Sequence, residues 1–399
     1  MRILQLCHKP PCPPKDGGCI AMNILTQGLL KAGCSVKVLS IHTHKHDFEP
    51  QHLDKTYLAS TSIESVFVDT RINLVDAFSN LITQDSYNVS RFFSADYDKA
   101  LTRVLNSHVY DVVLLESLFM TPYIDTIRRH SKAQVILRSH NLEYIIWERV
   151  AKGSKNPAKK TYLKLLAKQL KSHEMNVFKE IDGIVAISSS DALKYKKMGF
   201  SGKLITIPFG IDAEKMPYTP YQPGKQLFHL GSMDWMPNVE GVEWFLNQIW
   251  PSVLKKNPEI KLWMAGREMS SELRLRKDKN LHVLGAVNDA YSFMKEHGIM
   301  IVPLLSAGGI RVKIIEGMAL GVPIVSTTIG AEGIGCTHDE NILIANTPKE
   351  FSDAIERLMK SPELGIRIAE NARKLVEEQF DNALLTKNLL TFFEMLKVK

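Results

Sequence analysis

The chain has 399 residues, enough for two or three domains with cores of their own. Hydrophobic residues at 45% and charged residues at 23% are the proportions of an ordinary globular protein, and no apolar stretch reaches the roughly 18–20 residues that span a bilayer. The net charge of +7 suits an anionic small ligand or loose contact with an anionic membrane face; the basic residues are scattered and no recognition motif is present, which argues against nucleic acid.

Arg2 to Cys7 reads as a first buried strand, because six residues before His8-Lys9 are too few for the apolar region of a signal peptide. A loop to Gly17-Gly18 follows, then a helix from about Cys19 to Lys31 with Ala21, Ile24, Leu25, Gly28 and Leu29 spaced for one buried face. Gly33 closes it and Val36 to Ile41 is the next strand. The glycine pair sits where a helix N-terminus meets the carboxyl end of a strand, a place ligands favour. The loop is not G-x-G-x-x-G, so a dinucleotide fingerprint is not supported. Cys7, Cys12, Cys19, Cys34 and Cys336 are an odd count and read as reduced thiols of a cytosolic protein. The spacing of the first three, broken by prolines, lacks the C-x2-C geometry of a metal site. His42, His44 and His46 alternate, and read as a polar strand end rather than a metal site.

Residues 50–95 read as irregular, with short strands around Thr56 to Leu58 and Ser65 to Val68. Phe78, Tyr87, Phe92, Phe93 and Tyr97 either fill a core or line an acceptor groove. Asp111 to Glu116 is a buried strand ending in a carboxylate; Gln134 to Ser139 is another, ending in His140-Asn141-Leu142-Glu143. By position alone, His140 is equally a functional histidine at a sheet edge or a structural one capping the next helix. A long helix spans Pro157 to Ile181, and the lysines between Lys152 and Lys179 read as its solvated face, with membrane contact as the alternative. Asp182 to Ile187 is a strand, Ser188 to Asp191 cap the helix Ala192 to Met198, and Lys203 to Ile207 is a strand. Pro217 to Gly224 carries three prolines and a glycine, and reads as a linker.

A second α/β unit opens with the strand Gln226 to Leu230 and the loop Gly231 to Asn238. The helix Val239 to Trp250, the strand Lys261 to Ala265 ending in Gly266-Arg267, and the strand His282 to Leu284 ending in Gly285-Ala286-Val287 follow. An apolar strand from Ile299 then leads through Gly308-Gly309 into a helix carrying Arg311, Lys313 and Glu316 in its opening turns, and on to a strand at Val322 to Ser326. A helix N-terminus is a ready anion site, two cations beside it suit a phosphate, and a carboxylate about a turn inside suits ribose hydroxyls. Lys349 to Lys360, Pro362 to Glu378 and Ala383 to Leu396 read as helices. The chain repeats a βα design in two halves, so the expected fold is α/β, two doubly wound domains with a ligand cleft between them.

Taken in order, Gly17-Gly18, Arg138-Ser139-His140-Asn141, Ile207 to Asp212, Leu230-Gly231-Ser232 and Lys313 through Ile329 resemble the retaining glycosyltransferases of the GT-B architecture, and family 4 among them. The likeness covers nearly the whole chain and is most specific over Ile310 to Gly333. It implies an acceptor-binding Rossmann-like domain at 1–216, a linker at 217–224, a nucleotide-sugar-binding Rossmann-like domain at 225–379, and a final helix at 380–399 that packs back on the first domain. Gly17 and Gly18 would lie against the donor diphosphate, and catalytic His140 beside the transferred sugar. Glu316, the second glutamate of an E-x7-E pattern, would contact the ribose, and Val287 with Asn288-Asp289 the base. Gly231, Gly308 and Gly309 complete the donor side; Glu116, Asn141 and Glu143 are placed at the acceptor.

The sequence departs from that family in two places. Gly308 stands where the first glutamate belongs, and the loop after Leu230-Gly231 holds no basic pair. Arg311 and Lys313 are expected to replace that pair at the diphosphate, with Arg267 as a further cation. With charge supplied this way and no D-x-D motif, no metal cofactor is expected. The implied function is a hexosyltransferase using a UDP- or GDP-sugar donor and a glycan or lipid-linked acceptor, cytoplasmic and at the inner face of the membrane, in cell-surface polysaccharide or glycolipid synthesis. Two alternatives stand beside it. A nucleotide-sugar 2-epimerase would need additional acid/base carboxylates, for which Glu116 and Glu143 are the candidates. The glycine at 308 also admits a non-catalytic nucleotide-sugar-binding subunit.

Overall fold

The computed structural model describes the chain except for residues 15, 72–85, 154–155, 213–215, 225, 307–309 and 398–399. Two compact units emerge, Met1–Gly210 together with Asn382–Lys399, and Ile211–Asp381. Each is an open, all-parallel sheet with helices on its faces.

The first unit contains β1 (Arg2–Cys7), β2 (Ser35–His42), β3 (Glu64–Phe67), β4 (Val112–Glu116), β5 (Gln134–Ser139), β6 (Gly183–Ala186) and β7 (Lys203–Thr206), in the spatial order β3-β2-β1-β4-β5-β6-β7. The alternation of side chains sends Leu4, Leu6, Val113 and Leu115 to one core and Ile3, Cys7, Val112 and Leu114 to another. Both faces are covered, which is why these strands read as continuous apolar runs. Helix α1 (Gly17–Lys31) follows β1, capped by the Asp16 carboxylate, which accepts from the Cys19 amide at 2.9 Å.

The helix Asn382–Lys397 belongs to this unit. It buries Leu385, Leu389, Phe392, Phe393 and Leu396 in the second core, and Asn382 Nδ2 donates to the Ile24 carbonyl at 2.9 Å. The approach to α1 is so close that a Cβ on Gly28 would stand 2.3 Å from Thr386 Oγ1. Five apolar side chains at about 1.5–3 kcal/mol each make this a firm attachment.

The second unit contains β8 (Gln226–Leu230), β9 (Lys261–Ala265), β10 (Leu281–Gly285), β11 (Ile299–Val302), β12 (Ile324–Ser326) and β13 (Leu343–Ile344), in the order β10-β9-β8-β11-β12-β13. In both sheets the chain leaves from the middle and reverses direction of travel, at β1/β4 and at β8/β11. The carboxyl edge at such a switch point is where open α/β sheets bind ligands.

Three expectations are corrected. Thr56 to Leu58 is no strand but part of the helix Lys55–Thr61, because the Asp54 carboxylate accepts from the amides of Thr56 and Tyr57 and starts a helical turn. The long helix ends at Val177 rather than Ile181. The helix expected at Val239 to Trp250 is longer. It runs Met236–Trp244, a π turn Phe245–Ile249, then Trp250–Lys256, so Pro251 does not end it. The widened turn just before the proline relaxes the clash and the missing donor that would otherwise break a helix.

Candidate active site

In the first unit the site grows from Glu116, the last residue of β4, which is fully buried. In the β4–β5 register it stands beside Arg138, and in the β1–β4 register beside Cys7. One carboxylate oxygen accepts from Gln5 Nε2 at 2.8 Å; the other accepts from Arg138 Nη1 at 2.9 Å and from His140 Nε2 at 2.7 Å. Thr26 Oγ1 in turn donates to Gln5 Oε1 at 2.7 Å. Burial pushes the Glu116 carboxyl up, but the Arg138 charge and the bonds from His140 and Gln5 outweigh it and hold the group at about 2. Glu116 is therefore an ionised anchor. The expected acceptor contact is corrected: with no exposed surface and both oxygens engaged, this carboxylate holds His140 instead.

His140 is 8% exposed, and burial lowers its pKa against the opposing pull of Glu116. Its ring meets Phe209 edge-on at 5.8 Å. His8, just past β1, donates from Nδ1 to the Glu116 main-chain oxygen at 2.8 Å; burial and then the Lys9 charge lower it to about 3. Gln5, His8 and Lys9 were not singled out from sequence. Their one signal was position, at the end of the first buried strand and before a glycine pair.

Gly17 is exposed and Gly18 half-buried, at the start of α1. Lys9 Nζ lies over this turn, 2.9 Å from where a Gly18 Cβ would be, and bonds both oxygens of Asp16 at 2.8 Å. His46 Nε2 sits 3.1 Å from the same carboxylate. Burial raises the Asp16 pKa, yet His46, Lys9 and the Cys19 amide pull it far below the usual range. Asn141 is half-buried, and its main-chain oxygen accepts from Ser139 Oγ at 2.9 Å. Half-buried Glu143 opens the helix Glu143–Gly153, and poor hydration raises its carboxyl to about 7. Behind it Glu174, 1% exposed, accepts from the Tyr144 amide and is raised to about 8, by burial first and by Glu143 among lesser causes. Of the aromatics, Phe92 and Tyr97 are core residues and Phe93 is 51% exposed; Phe78 lies outside the described residues.

In the second unit the carboxyl edge brings together Gly231, Gly266-Arg267, Gly285 to Val287 and the start of the helix Val312–Leu320. The backbones of the first two turns touch. Gly266, at φ +152°, would place a Cβ 1.8 Å from the Gly231 oxygen, so only glycine serves there. A Cβ on Gly231 would stand 2.7 Å from Asn238 Nδ2 and 2.9 Å from His229 Nε2. His229 donates from Nδ1 to the Ile301 carbonyl at 3.1 Å, and burial lowers it to about 4. The guanidinium of exposed Arg267 has no partner among the described residues, and Val287 is half-buried.

Glu316 is 2% exposed. It accepts from Tyr291 Oη at 3.1 Å and lies 2.7 Å from Lys313 Nζ. The half-exposed Lys313 thus stands on the first turn of a helix whose N-cap residue, Arg311, lends its amides no side-chain cap. Arg311 is turned elsewhere. It is 8% exposed, and donates from Nε to the Gly330 oxygen at 3.0 Å and from Nη2 to the Ile329 oxygen at 2.6 Å. These bonds tie down the turn after β12. Gly308 and Gly309 lie outside the described residues. Among the described residues, no group of three or more His, Cys, Asp or Glu is placed to hold a metal, and no helix is long and apolar enough to cross a membrane.

Residues 224–361 match the family described as glycosyl transferases group 1. The fold is GT-B. Sucrose-phosphate synthase from Thermosynechococcus elongatus superimposes with a TM-score of 0.71 at 14% identity, over 99% of both chains. HepE of Anabaena, crystallised with UDP and glucose, gives 0.66 at 13%, again over 99% of both. In sequence, the chain is 24% identical to an uncharacterized 44.6 kDa protein in the cps region of Klebsiella pneumoniae, over 96% of this chain and 97% of that one. It is 22% identical to the capsular polysaccharide biosynthesis glycosyltransferase CapM of Staphylococcus aureus, over 53% of this chain and 54% of CapM.

Proposed function

We propose that this GT-B chain is a retaining glycosyltransferase. It would move a hexose from a UDP- or GDP-sugar to a hydroxyl of a glycan or lipid-linked acceptor in cell-surface polysaccharide or glycolipid synthesis. The observation that carries this reading is the Lys313–Glu316–Tyr291 group at the opening of the Val312–Leu320 helix, beside the β8/β11 switch point. An enclosed carboxylate suits ribose hydroxyls; a lysine and a helix start with no side-chain cap, one turn earlier, suit a diphosphate. The group 1 match over this unit and the UDP-bearing structural neighbour support it.

Breaking the bond from the anomeric carbon to phosphate oxygen builds negative charge on the diphosphate. In this proposal Lys313, Arg267 and the helix amides stabilise that charge, which lowers the barrier. In the front-face route implied by the family resemblance, the acceptor oxygen bonds to the anomeric carbon on the side the phosphate leaves. Its proton passes to the departing phosphate, so no protein base is required. The 2-epimerase alternative is weakened, because Glu116 is closed off and Glu143 alone remains. Release of nucleoside diphosphate from a panel of nucleotide sugars tests the proposal. Interconversion of the sugar without release would favour the epimerase, and binding without either would favour a non-catalytic subunit.

A contact with an anionic membrane face is part of the same proposal. Lys152, Lys159, Lys164, Lys168 and Lys179 are exposed, interleaved with the exposed side chains of Tyr162, Leu165 and Met175. Flotation with phosphatidylglycerol vesicles should be lost on Lys164→Glu with Lys168→Glu; flotation equal to the parent chain would remove this part.

A further inference from the structure

We infer that residues 216–221 form a strap, fastened by Arg373 to the carboxyl end of the helix Val312–Leu320, and that Arg373 thereby positions Lys313 and Glu316 near the other end. A nucleoside diphosphate at that other end rests on the transferase reading above; the strap itself does not.

The last carbonyls of an α-helix have no partner within it. Here Gly317, Met318, Ala319 and Leu320 all find one. Gly321, in the left-handed region at φ +84°, ends the helix. The Val322 amide then donates to the Gly317 oxygen at 2.9 Å, and the Gly321 amide to the Met318 oxygen at 3.1 Å. The other two are met from outside. Arg373, on the helix Pro362–Gln379, donates from Nη1 to the Ala319 oxygen at 2.6 Å and to the Met216 oxygen at 2.9 Å. The Thr219 amide donates to the Leu320 oxygen at 3.3 Å. One guanidinium thus ties the strap to the helix end, and its charge suits the negative end of the helix dipole.

The strap is held along its length. Met216 and Tyr221 are buried, and a Cβ on Gly365, in the same helix as Arg373, would stand 2.4 Å from Tyr221 Cε1. Between these two anchors, a Cβ on Gly321 would stand 2.6 Å from both the Thr219 main-chain oxygen and Tyr218 Cε2. A cavity of about 400 Å³ is lined by 219–224, 294–296 and 320–322, so the strap and the helix end have room to shift if the bonds let go. The helix has nine residues, about 13 Å of length, and every one from Ile314 to Leu320 is buried. It therefore moves as one body. Its carboxyl end is bonded throughout, while its amino end has no side-chain cap. A ligand that fixes the amino end steadies the strap, and loosening the strap weakens that ligand by the same factor.

Hydrogen exchange of the full chain, read by mass spectrometry, tests both parts. The Thr219 side chain is exposed, yet its amide should exchange far more slowly than that of an open loop. UDP or GDP, whichever binds, should slow Thr219 and Gly321 further. The Asn257 amide, at the end of another helix of the same unit, should stay as it was. Arg373→Ala should speed exchange at Thr219 and raise the Kd of that nucleotide about fivefold or more. Val253→Ala, in the buried core of the same unit, should unfold earlier in urea with the Kd unchanged, which separates positioning from lost stability. If Arg373→Ala does not fold, the parent chain still decides. A nucleotide that binds while Thr219 and Gly321 exchange as before would overturn the coupling. Parent-like affinity in folded Arg373→Ala would do the same, and in both cases the transferase reading stands. A Thr219 amide as fast as an open loop would overturn the strap. Failure of both nucleotides and of every nucleotide sugar to bind would remove the transferase reading, and the coupling with it.

Discussion

Replacing Arg311 and Lys313 separately should separate architecture from donor chemistry. Arg311→Ala removes two charge-assisted bonds of 3.0 and 2.6 Å to the carbonyls of Gly330 and Ile329. Such bonds contribute about 1.5–3 kcal/mol each. The lower end applies because Ile329 is 37% exposed, so the loss should be about 3 kcal/mol. The 3.9 Å approach to Glu332 adds little, since that side chain is largely in solvent. Urea unfolding followed by tryptophan fluorescence is the assay. Four of the five tryptophans (Trp235, Trp244, Trp250 and Trp263) lie in the second unit, so the signal reports that unit. Hydrogen exchange should also show the Gly330 and Ala331 amides losing protection, because their bonds to Thr327 close the same turn. Lys313→Ala, by contrast, takes one partner from Glu316 but leaves Tyr291 in place; about 1 kcal/mol of stability and tenfold or more in donor turnover should go. Unchanged stability in Arg311→Ala would refute the structural role of Arg311. Undiminished turnover in Lys313→Ala would refute its place at the diphosphate.

Three further outcomes follow from the charges. Glu116→Ala leaves the Arg138 guanidinium buried against Phe209 without its counter-charge, and should lose about 3–5 kcal/mol in the unfolding of the first unit. The pH dependence has the same origin: the Glu116 pKa falls from 4.5 to about 2 in the fold, so its contribution of about 3 kcal/mol is complete above pH 4.5 and lost as pH falls toward 2. Glu174→Gln should act oppositely. Its folded pKa of about 8 lies above 4.5, so the native carboxyl becomes a liability as pH rises through that interval; the amide still accepts from Tyr144 and should stabilise by at least about 2 kcal/mol at pH 8, but little at pH 4.5, in parallel melts. If Lys313, Arg267 and the helix amides carry the diphosphate charge as proposed, donor turnover should persist in EDTA; a requirement for added magnesium would show that they do not.

Every strand of the two sheets but the two-residue β13 was legible, because a strand covered on both faces must be apolar throughout, and short apolar runs punctuated by glycine allow few other readings. Local chemistry misled where a single side chain decides. Thr56, Tyr57 and Leu58 have strand-like composition, and one carboxylate, Asp54, turns them into a helix. The helix expected to end at Trp250 runs on, and a π turn carries it through Pro251. The site was legible only in part. Glu316 and Lys313 are three residues apart on one helix, so their meeting follows from helical spacing. Gln5 and Glu116 are 111 residues apart, and His8 meets Glu116 across 108. Only the strand order β1-β4-β5 brings them together, and no periodicity reports strand order.

That distinction also explains why Arg311 and Glu116 were given roles that the fold takes from them. A charged side chain in a sequence is a charge without an environment, and its assignment to a ligand assumes that it faces solvent. Glu116 ends a strand whose parallel neighbour places Arg138 beside it, so its charge is neutralised within the sheet before any ligand arrives. Arg311 stands one residue before a helix, where its long side chain reaches the carbonyls of Ile329 and Gly330. In both cases the charge does more for the protein indoors. Glu116 anchors His140 and His8, and Arg311 holds the turn after β12. The groups proposed to meet a substrate, Lys313 at its helix opening and Arg267, are cations that keep exposed surface.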